Sequence, residues 1–417
     1  MFFIQNKSPT PAAAPVAAAP LLSLGAILVL ALGTFAVGTD AFIVAAFLPL
    51  MADDLGVTPA VAGHSVTAFA LAYAVLAPLI ATASARVPRR AMLVAALAML
   101  GLANIGSALA PSMSWLIATR VAAAAAAAAY TPSAGAVAAA LVRPDFRARA
   151  LAIVIGGLTL ATALGVPLGR LASTLAGWRA ALVAVGVVSF VAAAGVRATL
   201  PRLGPAPAMP LAERLQALRQ PAVLKVLPLT VLGMAACYVP YAYTVQVLQA
   251  LGTPAGAVTG MLLAYGLGAM AGNYASGAGT DRRGARAVLL ATYLAMAAAL
   301  GGLAWLTTAS HPTPWAVALL MGLWGASSWA QSPAQQHRLI EAAPRHGPLV
   351  VALNASGIYF GIALGTAVSG RLIDTGATAA LACGLALALA SWLYAALTSR
   401  PGTAPGRHGM ASKRSPS

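Results

Sequence analysis

The sequence predicts an all-α membrane protein with twelve transmembrane helices in two six-helix halves and both termini cytoplasmic. Three observations lead there. Of the 417 residues, 60% are hydrophobic and only 8% charged, with a mean hydropathy of +0.85, whereas soluble domains carry roughly 25% charged residues. Apolar stretches long enough to cross a bilayer, about 20 residues at about 1.5 Å each, recur along the chain between short loops. The basic residues are also sorted: of the 25 Lys and Arg, all except Arg120, Arg170, Arg179 and Arg371 fall on one side. That asymmetry is the positive-inside pattern. The net charge of +17 therefore reports orientation and contact with anionic lipid headgroups, and it implies no nucleic acid partner.

Residues 1–20 are Pro/Ala-rich and read as a disordered tail. The apolar stretch behind them is too long for a cleaved signal, whose apolar core runs about 7–15 residues. The N-terminal half, 21–196, opens with the stretch 21–50, which holds a single carboxylate, Asp40. Asp53 and Asp54 follow in an outer loop without basic residues, and the second span is 61–82. Arg86, Arg89 and Arg90 mark the first inner loop. Spans 91–110 and 114–141 join at Pro111; Arg143, Arg147 and Arg149 return the chain inside; spans 150–171 and 180–196 flank an outer turn at Gly177, Trp178 and Arg179. Residues 197–221, rich in Pro and Arg, form a cytoplasmic linker with a short amphipathic helix expected near 211–218. The C-terminal half, 222–398, offers spans at about 223–249, 256–279, 287–307, 314–335, 348–373 and 377–398. Its inner loops carry Arg282, Arg283 and Arg286, then Arg338 and Arg345, and a basic tail, 399–417, ends inside. Cys237 and Cys383 lie in apolar spans with no metal-ligand or redox spacing and read as packing residues.

The halves repeat one another. Thr58-Pro59-Ala60 and Thr253-Pro254-Ala255 open the second and eighth spans, Leu71-Ala72-Tyr73 matches Leu263-Ala264-Tyr265, and Gly169-Arg170-Leu171 matches Gly370-Arg371-Leu372. Three matches in one order, at equivalent spans, point to a parallel repeat, an arrangement in which a substrate binds between halves that rock about it.

A carboxylate well inside a span costs at least about 2.5 kcal/mol. Either Asp40 sits at the outer headgroup level, or it lines a wet central cavity as a candidate proton or cation carrier, since burial penalises the charged form. The second reading is preferred.

Several patterns resemble the major facilitator superfamily over residues 21–398, and within it the drug:proton antiporters of the arabinose-efflux type. The loop Gly277-Ala278-Gly279-Thr280-Asp281-Arg282-Arg283-Gly284-Ala285-Arg286 is similar to the superfamily's inner-loop pattern. The resemblance implies a cytoplasmic gate whose Asp caps a helix start and pairs with basic neighbours; the alternative is a simple solvated loop. The first-half counterpart keeps Arg86 and Arg89 but has Ala85 and Pro88 where the family has Asp and Gly. Arg120 resembles the family's membrane-embedded Arg, implying a share in proton relay, unless it snorkels to the outer surface. Gly165-Val166-Pro167-Leu168-Gly169 resembles the antiporter motif of the fifth span, although small residues and Pro also serve plain packing. Gly33-Thr34, Gly38-Thr39-Asp40 and Leu48-Pro49 resemble the first span of this branch, with Asp40 in its acidic position.

The remaining in-span polar and aromatic residues, Tyr130, Tyr238, Tyr241, Gln246, Trp324, Gln331, Asn354 and Tyr359, are candidates for a substrate cavity, though helix interfaces also attract them. His64 reads as interfacial. The resemblance implies a proton-coupled exporter of a drug or sugar, acting as a monomer in the bacterial inner membrane, with protons and a small molecule as partners and no cofactor. Uptake by symport or facilitation is a second reading, and a membrane scaffold or sensor a third. No Ser/His/Asp, metal-ligand or phosphate-loop arrangement suggests an enzyme.

Overall fold

The computed structural model describes residues 23–204, 220–309, 312–344 and 347–398. The tail 1–20, the amphipathic helix near 211–218, Arg345 and the tail 399–417 lie outside the described residues. Among these residues all regular structure is helical. Helix α1 (Leu24–Phe42) starts on Ser23, whose hydroxyl accepts the Ala26 N–H at 3.2 Å. It breaks at Ile43 and continues as α2 (Val44–Asp54). The first Thr-Pro-Ala repeat is a helix start: Thr58 caps α3 (Pro59–Ala83) by accepting the Val61 N–H, and Pro59 fills the first turn, where its missing N–H costs nothing.

Helices α4 (Arg89–Ala108) and α5 (Met113–Ala140) follow, and α6 (Arg147–Leu160) runs through a π-helical turn, Ala161–Gly165, into α7 (Val166–Thr199). Gly177 within α7 has φ +83, a left-handed conformation that glycine alone takes freely, so α7 is two legs joined at a turn. The second half contains α8 (Pro221–Tyr241), α9 (Thr244–Ala250), α10 (Val258–Leu306), α11 (Pro314–Ala342), α12 (Gly347–Leu372) and α13 (Ala377–Thr398). Gly284, with φ +80, divides α10 in the same way. Among the described residues nine continuous helical stretches are long and apolar enough to span a membrane, and two of them are the rods broken at Gly177 and Gly284.

Within the first half α1 packs on α6 and α7, α4 on α5 and α7, and α3 on α5; within the second, α8 packs on α12 and α13, and α10 on α11 and α13. The α10–α11 seam is backbone on backbone: a Cβ added to Gly268 or Gly272 would lie 2.0 Å from the Gly322 carbonyl oxygen or 2.1 Å from that of Ala326. The halves meet where α3 lies along α12, where α2 touches α9, and where α10 crosses the π turn. At that crossing a Cβ on Gly266 would lie 2.3 Å from the Ala163 Cα. Among the described residues no hydrogen bond or ion pair joins 23–204 to 221–398; the contacts are apolar, aromatic and backbone-to-backbone.

At the C-terminal end of α2 Asp54 accepts hydrogen bonds from Arg179 and from Trp178 Nε1, the latter at 3.1 Å, and Arg179 also donates to the Ala110 carbonyl at 3.1 Å. These bonds tie the end of α2 to the Gly177 turn. The Arg179 hydrogen bond holds the Asp54 carboxyl below the usual carboxylate range.

Candidate functional site

Helix α1 carries Asp40 one turn before its break, and α5 brings Arg120 to it; the two are 0% and 1% exposed. Arg120 Nη1 donates to Asp40 Oδ1, and Nη2 donates to the Asp40 backbone oxygen at 3.0 Å. The second carboxylate oxygen, Oδ2, has no hydrogen-bond partner among the described residues, nor has Arg120 Nε. Asn104 of α4 stands beside the carboxylate and donates to Leu100 O at 3.0 Å. The ring of Phe69 on α3 closes the guanidinium from the other side, 4.4 Å from Cζ to the ring centroid. Asp40 is thus sealed and paired, not set in open water, and Arg120 does not snorkel. Burial of two opposite charges is sustained only when they hold each other.

A cavity of about 260 Å³ lies between α1 and the two legs of α7, bordered by Phe35, Thr39, Ile43, Gly165, Gly169 and Val185; neither Asp40 nor Arg120 lines it. The glycines of the antiporter-like motif make the close approach here: a Cβ on Gly165 would meet Thr39 Oγ1 at 2.3 Å, and one on Gly169 would meet Ile43 Cδ1 at 2.2 Å. Pro167 sits in the first turn of α7.

The other sequence-derived residues fall into three groups. Tyr130 is buried within the first half and donates to Leu30 O at 3.0 Å across Gly33. Tyr238, Tyr241 and Trp324 form one aromatic cluster with Tyr265, their successive centroids 4.9 to 6.1 Å apart; Phe42 of the first half reaches it through Tyr238 and also meets Trp329 of the second half. Gln331 accepts from Tyr293 at 3.2 Å, and Asn354 accepts from Thr230 at 2.8 Å; both amides lie between helices of the second half. Gln246 in α9 has neither amide atom partnered among the described residues. Tyr359 stacks on Tyr73 of the first half, centroids 3.7 Å apart, and leans on Phe69 at 6.2 Å.

Of the residues expected at the gate, Gly277, Asp281, Arg282 and Gly284 lie at or near the bend of α10 at Gly284. Asp281 is exposed and, among the described residues, makes no ion pair. Arg286 donates to Ala396 O of α13 at 3.4 Å. Arg86 is exposed and Arg89 half-buried.

Phe69, Tyr73 and Tyr265 were not among the sequence candidates. A signal existed: Tyr73 and Tyr265 are the last residues of the repeated Leu-Ala-Tyr, and Phe69 precedes Tyr73 by one helical turn.

The family model described as Major Facilitator Superfamily matches residues 30–366. The chain belongs to the major facilitator superfamily. It is 31% identical to the inner membrane transport protein YdhP of Escherichia coli K12 over 374 residues, covering 87% of this chain and 94% of that protein. It is 37% identical to a chloramphenicol resistance protein of Streptomyces lividans over 268 residues, 63% of this chain and 68% of the other. The fold matches the crystal structure of a bacterial homolog of the human lysosomal transporter Spinster, inward-facing and occupied, with a TM-score of 0.69 at 17% identity over 90% of this chain and 96% of that one. The protein is therefore a multi-pass transporter of the bacterial inner membrane.

Proposed function

We propose that this transporter exports a small organic solute in exchange for protons, with Asp40 as the proton carrier and Arg120 as its charge partner. The observation that carries the reading is the buried ion pair with one carboxylate oxygen unpartnered. A proton arriving on Oδ2 neutralises Asp40 without displacing the Arg120 bond to Oδ1, and leaves the guanidinium, which stays charged, held by a backbone carbonyl and a ring face. The protonated and deprotonated forms therefore differ by a whole buried charge, enough to favour different arrangements of the halves.

The fold supports the rest of the cycle. Twelve spans follow if each rod broken at Gly177 or Gly284 counts as two and α11 spans as well, with both termini cytoplasmic. Halves with no hydrogen bond between 23–204 and 221–398 among the described residues can part and re-form at low cost, as alternating access requires. The bend 277–286 serves as the inner gate, and the protein works as a monomer. A chloramphenicol-like drug is the first substrate to try, because one relative carries that name; a sugar is the second.

The test uses purified protein in liposomes with a lumenal pH-sensitive dye, chloramphenicol in the lumen and an acidic exterior. Chloramphenicol should accelerate lumenal acidification in wild type and not in Asp40→Asn. A variant that couples as well as wild type would make Asp40 structural and move the carrier role to another group.

A further inference from the structure

Among the described residues no hydrogen bond or ion pair joins the buried pair to the second half, yet it is one ring away from it. Arg120 lies on the face of Phe69, Phe69 leans on Tyr359, and Tyr359 stacks on Tyr73 with an interplanar angle of 21°. Phe69 and Tyr73 are one turn apart on α3, and Tyr359 is on α12, so the stack is part of the α3–α12 contact that joins the halves. All three rings are buried. We propose that Tyr359 is a positioning residue through which the protonation state of Asp40 is read by the contact between halves.

The physical argument is a competition for one cation. With Asp40 charged, Arg120 is held mainly by the carboxylate, and the Phe69 face is a secondary contact. With Asp40 neutral, the bond to Oδ1 is no longer backed by an opposite charge, so the guanidinium leans more on the Asp40 backbone oxygen and that ring face, and its dependence on Phe69 rises. Phe69 keeps its face to the guanidinium only while Tyr359 backs it, and Tyr359 is fixed in turn by its stack on Tyr73. Protonation therefore strengthens a chain of contacts that ends in the second half, and shifts the equilibrium between the arrangements of the halves. The ring does this work, since the Tyr359 hydroxyl is not needed for either contact. The groups that face Asp40 are Arg120 from α5 and Asn104 from α4, with Tyr73 and Tyr359 behind Phe69 on α3 and α12. From α7, Arg170 bonds the Ala46 carbonyl further along.

This inference rests on Asp40 being the proton carrier, and it is tested without any substrate. Spin labels at Thr199→Cys and Glu341→Cys, exposed at the inner ends of α7 and α11, are placed in a Cys237→Ser/Cys383→Ser background, and the distance between halves is measured by pulsed electron resonance at pH 5.5 and 8.5. Wild type should show a pH-driven change in the distance populations, and Asp40→Asn none. Tyr359→Phe should keep the wild-type change, whereas Tyr359→Leu and Phe69→Leu should reduce it at least threefold with unchanged helical content. Absence of any pH response in wild type, or its persistence in Asp40→Asn, overturns the carrier assignment. A wild-type response in Tyr359→Leu, or its loss in Tyr359→Phe, overturns the positioning role while the carrier assignment stands.

Discussion

Removing one partner of the Asp40–Arg120 pair should cost far more than removing both. With the pair 0% and 1% exposed, a lone Arg120 is a buried cation that cannot give up its proton, and the cost of breaking such a pair from one side is about 3–5 kcal/mol. Arg120→Leu is the milder single change, because the remaining carboxyl can be neutralised by a proton. Asp40→Leu/Arg120→Leu removes both charges into an apolar setting and should unfold at nearly the wild-type denaturant concentration, since apolar replacement of a buried pair is often neutral or stabilising by about 1–4 kcal/mol. The contact of Arg120 with Phe69, worth about 0.5–2 kcal/mol, offsets part of that gain. The assay is equilibrium unfolding in mixed micelles of dodecylmaltoside and sodium dodecyl sulfate at pH 7, followed by circular dichroism and by the fluorescence of the 7 tryptophans. A double variant whose loss equals the sum of the singles would refute the coupling, because independent sites add and partnered ones do not.

Three further outcomes follow from the packing. Gly266→Ala places a Cβ 2.3 Å from Ala163 Cα and 2.6 Å from Thr162 O, backbone atoms that cannot swing aside; an overpacking cost of about 1–3 kcal/mol should appear in the same unfolding assay. Chloramphenicol exchange across the liposome membrane should fall with it. Tyr130→Phe removes the 3.0 Å bond to Leu30 O while keeping the ring, and should cost about 1 kcal/mol. Asp54→Asn should cost no more than about 1 kcal/mol at pH 7, because the Arg179 pair is largely exposed and screened. Since the Asp54 carboxyl is held below its ordinary range, its contribution is present above about pH 4, the unfolded carboxylate value, and is lost as pH falls through the folded value. Wild type and Asp54→Asn should therefore unfold alike in strong acid.

Much of the architecture was readable because membrane burial writes itself into composition. Apolar runs and sorted arginines gave the order of the spans, and the first Thr-Pro-Ala was a physical signal, a cap followed by the one residue that needs no hydrogen bond there. The break of α1 at Ile43 was not readable, since 21–50 is apolar throughout, and neither was the π turn at 161–165. The single carboxylate at Asp40 stood out because its cost is local. Arg120 stood out as well, as an in-span Arg, but its pairing with Asp40 did not, because it comes from eighty positions further along a different helix and only packing joins them. Aromatic residues were the least legible: Tyr130, Tyr238 and Tyr359 look alike in sequence, yet one pins two helices of the first half, one joins a cluster centred in the second, and one stacks across the division.

A seam without directional bonds also has a thermal signature. Where the contact of α3 with α12 or of α2 with α9 opens to water, what is wetted is hydrocarbon and aromatic ring, which raises the heat capacity by about 0.45 cal/mol/K for each Å² of apolar surface. No ion pair or hydrogen bond between the halves, among the described residues, supplies an opposing enthalpy. The attraction across the seam therefore weakens on cooling. Low temperature enriches the parted arrangement, and an Arrhenius plot of turnover curves wherever that parting limits the cycle.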